Sequence, residues 1–323
     1  MPQYDLPEDE LRTYRTRAIA PEDLTTFWTT TLAEARASWW APKVERVDTA
    51  LTLVDVHDVT FSGFGGDPVR AWYRRPANVE GDLPIVVRYQ GYTGGRGLPH
   101  QVGFLPLAGY ATLEIDNRGQ GSGGGYVGDT ADPHGHGPSY LGGFMTRGVL
   151  DKDDYYFRRL YTDAVLAVDA AKALPGVAAD RVAVHGLSQG GGLALAVASL
   201  RDDLRAVMAD VPFMCDLPRA ITLATAGPYL EVGGYLASHR DEVERVLATL
   251  AYFDSALLVD SATAPALFSV ALMDAVCPPS TVYAAFNAYA GPKEMCTYPF
   301  NDHEGGQFHQ EAVQLGWLAE QLR

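Results

Sequence analysis

The sequence predicts an α/β fold: a mostly parallel, twisted sheet with antiparallel first strands and helices on both faces. Three observations predict it. Apolar and polar residues alternate early in the chain, a strand, glycine turn and helix rhythm runs from Leu83 onward, and short apolar runs are separated by helical stretches. Short buried runs between helices are what a parallel sheet covered on both faces requires.

The chain opens with helical material. Pro21 suits a first helical turn, and Phe27, Leu32 and Ala35 follow at helical spacing. Then Val54 and Val56, Val59 and Phe61, and Val69, Ala71 and Tyr73 alternate with polar neighbours, while Gly63, Gly65 and Gly66 supply a turn. Strands of the parallel part are expected at 84–89, 110–115, 182–185, 206–209 and 266–272, and helices at 151–174, 190–200, 278–289 and 307–322. The acids Asp151, Asp153 and Asp154 suit the positive end of the helix expected at 151–174. Two segments read as additions. Residues 119–148 hold 11 of the 33 glycines and little apolar periodicity, so a long loop is expected. Residues 217–250 read as helices broken at Gly227-Pro228 and Gly233-Gly234, a candidate lid or oligomer surface that simple packing would also explain.

A chain of 323 residues with no Ser/Pro/Gly linker and no repeat is expected to form one domain over 1–323. Its 47% hydrophobic and 20% charged residues exclude disorder. No apolar run reaches the ~18 residues of a membrane helix, and the acidic first ten residues lack a signal core, so a soluble, cytoplasmic protein is expected. Twenty-five basic against 40 acidic residues give −15, a field that repels phosphate backbones and anionic lipid. Nucleic acid and membrane partners are therefore not expected. Cys215, Cys277 and Cys296 are an odd number without a C-x-x-C pair and read as reduced thiols.

The chemistry centres on Gly186-Leu187-Ser188-Gln189-Gly190, set between a strand and a helix. A serine in such a tight turn projects its hydroxyl, glycines at Gly186 and Gly190 avoid clashes, and the helix start aims N–H groups at the same spot. A structural glycine turn is the plainer alternative. A serine hydroxyl needs a histidine to take its proton and an acid to orient that histidine, in the chain order Ser, acid, His. His303, in a loop beyond a late strand, is preferred over His309 in the last helix and over His239, read as a solvated helix residue. Asp274, ending the apolar run from Ala266, is preferred over Asp260 at the strand's wrong end and over Asp302, read as a loop cap; an N-cap is its plainer role. The backbone N–H groups of Tyr92, in a glycine-rich loop after an early strand, and of Gln189 are the expected oxyanion donors. His134-Gly135-His136 lacks a third ligand and reads as a polar loop rather than a metal site. Gly121-Ser122-Gly123-Gly124-Gly125 lacks a lysine and a following helix, so it is a poor phosphate cradle. His185 reads as a structural core histidine and Cys277 as a buried small residue.

With these residues in hand, the chain resembles the acetyl xylan esterase and cephalosporin C deacetylase family, carbohydrate esterase family seven, of the α/β-hydrolase fold. Arg118-Gly119-Gln120-Gly121, Gly186-Leu187-Ser188-Gln189-Gly190 and His303-Glu304 carry the resemblance, supported by Tyr89-Gln90-Gly91-Tyr92, residues 143–148, Met273-Asp274 and residues 277–281. The resemblance implies a cofactor-free serine deacetylase acting on acetyl esters of sugars and other small alcohols, typically an intracellular hexamer, and able to perhydrolyse such esters with peroxide. It implies the triad Ser188, Asp274 and His303, oxyanion donors Tyr92 and Gln189, and a structural motif at Arg118, Gly119 and Gln120. One departure stands between Pro99 and Gly109, where the family usually has tryptophans. Lost bulk near Tyr92 would enlarge the pocket for longer acyl chains. A peptidase or lactone hydrolase, and a non-catalytic binding protein, are the competing readings.

Overall fold

The structure is a computed structural model that describes residues 3–122, 126–135 and 143–322. Among these residues nine strands form one sheet: β1 (Lys43–Val47), β2 (Val54–Ser62), β3 (Pro68–Pro76), β4 (Leu83–Tyr89), β5 (Ala111–Ile115), β6 (Val177–Leu187), β7 (Ala206–Asp210), β8 (Ala266–Ala271) and β9 (Lys293–Tyr298). Their order is β1-β2-β3-β5-β4-β6-β7-β8-β9. β2 and β3 are the expected antiparallel hairpin, closed by Gly63 N–H donating to the Asp67 carbonyl at 2.8 Å. β3 joins β5 antiparallel, and from β5 to β9 every pair is parallel.

The parallel strands are buried on both faces, which is why they read as unbroken apolar runs. Ile85, Val86 and Val87 are all inaccessible, as are Val182, Ala183 and Val184. One face packs Ile85, Val87, Val182 and Val184 under helices Tyr156–Lys172 and Gln189–Leu200; the other packs Val86, Ala183 and Met208 with Leu105 and Trp317. β1 and β9 escape the apolar pattern because they are the two edges. β9, Lys-Glu-Met-Cys-Thr-Tyr, has no fully buried residue.

Three expectations need correction. The helix expected at 151–174 runs Tyr156–Lys172, because Asp151 forms a turn instead: its side chain accepts from Asp153 N–H and its carbonyl from Asp154 and Tyr155 N–H. Gly233-Gly234 does not break a helix but lies inside Tyr229–Ser238, where tertiary packing overrides glycine's weak propensity. Gly227-Pro228 does separate Leu217–Leu223 from that helix. Third, none of residues 99–109 lines the cavity at Ser188: Leu105 is buried in the cluster with Val86 and Trp317, and Val102 packs near Val54 and Trp72. The described parts of 119–148 form loop and turn without helix or strand, and 123–125, 136 and 137–142 lie outside the described residues. No helix among the described residues is long and apolar enough to cross a membrane.

Candidate active site

The parallel strands deliver the expected site residues to one end of the sheet. Tyr92 follows β4, Ser188 follows β6, Asp274 follows β8 and His303 follows β9, all beyond carboxyl ends, where open α/β sheets bind ligands. At Ser188 the strand turns sharply into helix Gln189–Leu200, with φ 58° and ψ −120°. The glycines are required by packing of backbone on backbone. A Cβ on Gly186 would sit 2.2 Å from the Gly190 carbonyl carbon, and one on Gly190 would sit 2.2 Å from the Tyr89 carbonyl oxygen. The turn is further pinned by Ser188 N–H donating to the Asp210 carbonyl and Phe213 N–H donating to the Ser188 carbonyl, both at 2.9 Å.

His303 joins the other two. Its Nε2 lies 2.8 Å from Ser188 Oγ and its Nδ1 lies 2.8 Å from Asp274 Oδ2. With Nδ1–H donating to the carboxylate, Nε2 is left as the acceptor of the serine proton. Asp274 is fully buried, and its Oδ1 accepts from Val276 and Cys277 N–H at 2.8 Å each. Asp274 is therefore not the N-cap of helix Pro279–Ala288, which is Pro278; its second oxygen instead pins the turn that leads into that helix. Asp274, Cys277 and His303 offer ligand atoms within 4.8 Å of one another, but Asp274 already holds three donors. Cys277 is buried, and burial, with Asp274 beside it, pushes its thiol up. Asp302 does cap the loop, accepting from Ala275 and His303 N–H. His309 lies in helix Gln307–Gln321, His239 stacks on Tyr235, and Asp260 lies before β8.

Ser188 and His303 open into a cavity of about 460 Å³ with Gly91, Tyr92, Leu187, Gly227, Pro228, Glu231 and Val276. Among the described residues neither Tyr92 N–H nor Gln189 N–H has an intramolecular acceptor. Such unpaired N–H groups at a helix start and an adjacent loop suit a developing negative oxygen.

The acetyl xylan esterase (AXE1) family matches residues 1–321. An acetyl xylan esterase structure from Paenibacillus sp. R4 is similar at 34% identity and TM-score 0.92, covering 98% of this chain and 100% of that one. Acetyl xylan esterase 1 from Thermoanaerobacterium sp. is similar at 32% identity and TM-score 0.88, covering 98% and 99%. The chain belongs to the acetyl xylan esterase family. Acetyl esterase Axe7A of Xylanibacter ruminicola is 32% identical over 191 residues, 57% of this chain; that stretch is only 41% of the relative's length. An acylaminoacyl peptidase of Pyrococcus horikoshii, 14% identical with TM-score 0.60 over 84% of this chain and 42% of that one, shares the α/β-hydrolase fold alone.

Around this family site, the Arg118-Gly119-Gln120 motif holds loops together. Arg118 is fully buried and donates from Nε and Nη2 to Asp163, at 2.6 and 2.8 Å. Gly119 donates to the Thr130 carbonyl. Gln120 accepts from Thr93 N–H at 2.7 Å and donates to Tyr156 Oη and Gln189 Oε1 at 2.9 and 3.0 Å, so one amide joins the Tyr92 loop to the serine helix. His185 is buried, with Nε2 3.1 Å from Asp210. His134 pairs with Asp67 at 2.7 Å, while His136 lies outside the described residues.

Sequence reasoning missed Glu231. It lines the cavity from the 217–250 segment, and burial raises its carboxyl above the ordinary glutamate range against the pull of hydrogen bonds from Tyr92 and Met145. Its signal was available: Glu231 is the lone acid between positions 217 and 238.

Proposed function

We propose that this chain removes acetyl groups from acetylated xylo-oligosaccharides and other small acetyl esters, cephalosporin C included, through an acetyl-Ser188 intermediate. The observation that carries the reading is the hydrogen-bonded chain Ser188, His303, Asp274, with both links at 2.8 Å, opening into a cavity of about 460 Å³.

Ser188 Oγ attacks the ester carbonyl as His303 Nε2 takes its proton. Asp274 fixes the imidazole tautomer and stabilises the imidazolium. The carbonyl oxygen, now an oxyanion, accepts from Tyr92 and Gln189 N–H. Collapse breaks the bond to the alcohol oxygen, which leaves with the proton from His303. Water then gives its proton to His303 and attacks the acetyl-serine, releasing acetate and restoring the serine hydroxyl. The turn at Ser188 and the unpaired N–H groups exist before substrate arrives, so little reorganisation accompanies the charge shift.

A preference for longer acyl chains rested on the missing tryptophans at 99–109. Since those residues do not line the cavity, acyl length falls instead to Tyr92, Pro228 and Val276. Initial rates on nitrophenyl acetate, butyrate and octanoate, with Ser188→Ala as control, test the reading, followed by acetate release from acetylated xylo-oligosaccharides. Fastest hydrolysis of acetate, lost in Ser188→Ala, is expected; a preference for octanoate, or no Ser188-dependent hydrolysis, would overturn it. The resemblance also carries a cytoplasmic homohexamer into this proposal, and a solution mass of six chains by light scattering would support the assembly.

A further inference from the structure

Tyr92 is anchored by its side chain far from its own loop. The phenol donates to the Glu231 carboxylate, 2.8 Å from Oε2 and 3.0 Å from Oε1. It accepts from Phe144 and Met145 N–H, and Met145 N–H also reaches Glu231 Oε2 at 3.2 Å. The ring packs edge-on against Phe144 and Phe213, with centroids 5.7 and 6.2 Å away. Phe213 is the residue whose N–H holds the Ser188 carbonyl.

The carboxylate is fitted closely. A Cβ on Gly143 would lie 2.1 Å from Glu231 Oε1, so a side chain there would push the carboxylate out of place, and the φ of +110° at Gly143 favours glycine in any case. Burial raises the Glu231 carboxyl and the Tyr92 phenol together. An acid is thus kept half-buried in the cavity wall for contacts that converge on one phenol.

We infer that Glu231 is a positioning residue of the oxyanion site: it holds the Tyr92 phenol and thereby the Tyr92 peptide N–H where the oxyanion forms. The inference rests on the acetyl-ester reading above. Gln120 steadies the same loop from the other side through Thr93 N–H. An oxyanion donor works only within a narrow distance range, and a misplacement on the order of 1 Å can cost about 100-fold in rate. Losing the anchor should therefore lower turnover rather than ground-state binding.

The test compares wild type, Glu231→Ala, Glu231→Gln, Tyr92→Phe and the Glu231→Ala/Tyr92→Phe double variant, using kcat and KM on nitrophenyl acetate and thermal melts. Glu231→Ala should lower kcat about 10-fold or more with KM within about twofold, the pattern of an interaction made in the transition state. Glu231→Gln should recover kcat to within about threefold of wild type, since its amide oxygen still accepts from the phenol. Tyr92→Phe should lose a similar factor, and the double variant should fall no further than the worse single one. Unchanged kcat in Glu231→Ala, a loss confined to KM, or losses that multiply in the double variant would overturn the inference. Should Glu231→Ala fail to fold, Tyr92→Phe decides alone: lower kcat at constant KM supports it and wild-type kcat overturns it. Failure of the acetyl-ester reading would show separately, as wild-type activity that survives Ser188→Ala.

Discussion

The turn at Ser188 is held by backbone packed on backbone, with Gly186 against Gly190 and Gly190 against the Tyr89 carbonyl, and the contact between the glycines spans five residues of sequence. The cavity wall that carries Glu231 is held by side chains instead, and its central hydrogen bond joins residues 139 positions apart. One region is fixed by steric exclusion, which has no pH dependence. The other relies on carboxyl groups raised by burial, Glu231 in the wall and Asp254 at the start of the neighbouring helix Leu217–Leu223. The difference teaches where each is vulnerable: added volume breaks the turn, whereas a change of charge or acceptor loosens the wall.

The largest expected effect lies at the acid behind His303, on the turn's side of the comparison. Asp274→Asn keeps the shape of the acid but cannot fix the same tautomer, so kcat on nitrophenyl acetate should fall by about 10⁴-fold. A loss under tenfold would remove Asp274 from the proposed mechanism. Gly190→Ala attacks the turn. Its new methyl meets a backbone oxygen that cannot rotate away, and overpacking of this kind costs about 1–3 kcal/mol. Denaturant unfolding should show that loss equally at pH 6 and pH 8, with activity reduced; a loss that changes with pH would break the steric account. Gln120→Ala is expected to do less. It leaves the Thr93 N–H unpaired and uncouples the Tyr92 loop from Gln189, a cost of about 1–2 kcal/mol, read as a roughly tenfold drop in kcat at nearly constant KM. Wild-type kcat in this variant would show that the loop needs no support from the Arg118-Gly119-Gln120 motif.

What was legible in the sequence follows the same division. The hairpin of β2 and β3, the parallel strands and the turn at Ser188 leave local marks in the sequence, and alternation, apolar runs and glycine spacing expose them even where their partners lie far along the chain. The union of Ser188, Asp274 and His303 was legible through chain order, because the topology sends successive strands to one end of the sheet. The Glu231–Tyr92 bond was not, since periodicity within 217–250 reports helices and not what they face. Asp151 misled for a local reason: an aspartate favours a helix start and a turn alike, and here the turn won. The glycines at 233–234 misled in the other direction, because packing of the helix outweighed their propensity. β9 is an edge strand without a buried residue, so no apolar run marked its bounds, and it was legible only as the late strand before the His303 loop.

The smallest expected effect on activity lies at Asp254, which tests whether buried carboxyl groups support the wall. Asp254 accepts from Asp216 and Leu217 N–H at the start of helix Leu217–Leu223, and from Ala256 N–H. Burial pushes its carboxyl up to about 7 from 3.8; Asp216 adds to the rise and the three N–H donors oppose it. The folded chain therefore holds that proton more tightly than the unfolded chain does. Between pH 3.8 and about 7 the folded state carries more of the proton, so stability from this group is complete below that window and declines as pH rises through it. One proton can give a slope of at most about 1.4 kcal/mol per pH unit. Asp254→Asn removes the titration while keeping one acceptor oxygen. The variant should be less stable than wild type near pH 4, because its amide leaves a backbone N–H unpaired, and this deficit should shrink toward pH 7, because its stability changes less than that of wild type across the range. Parallel unfolding midpoints for both proteins across that range would detach Asp254 from the electrostatic account and leave the wall, like the turn, to packing.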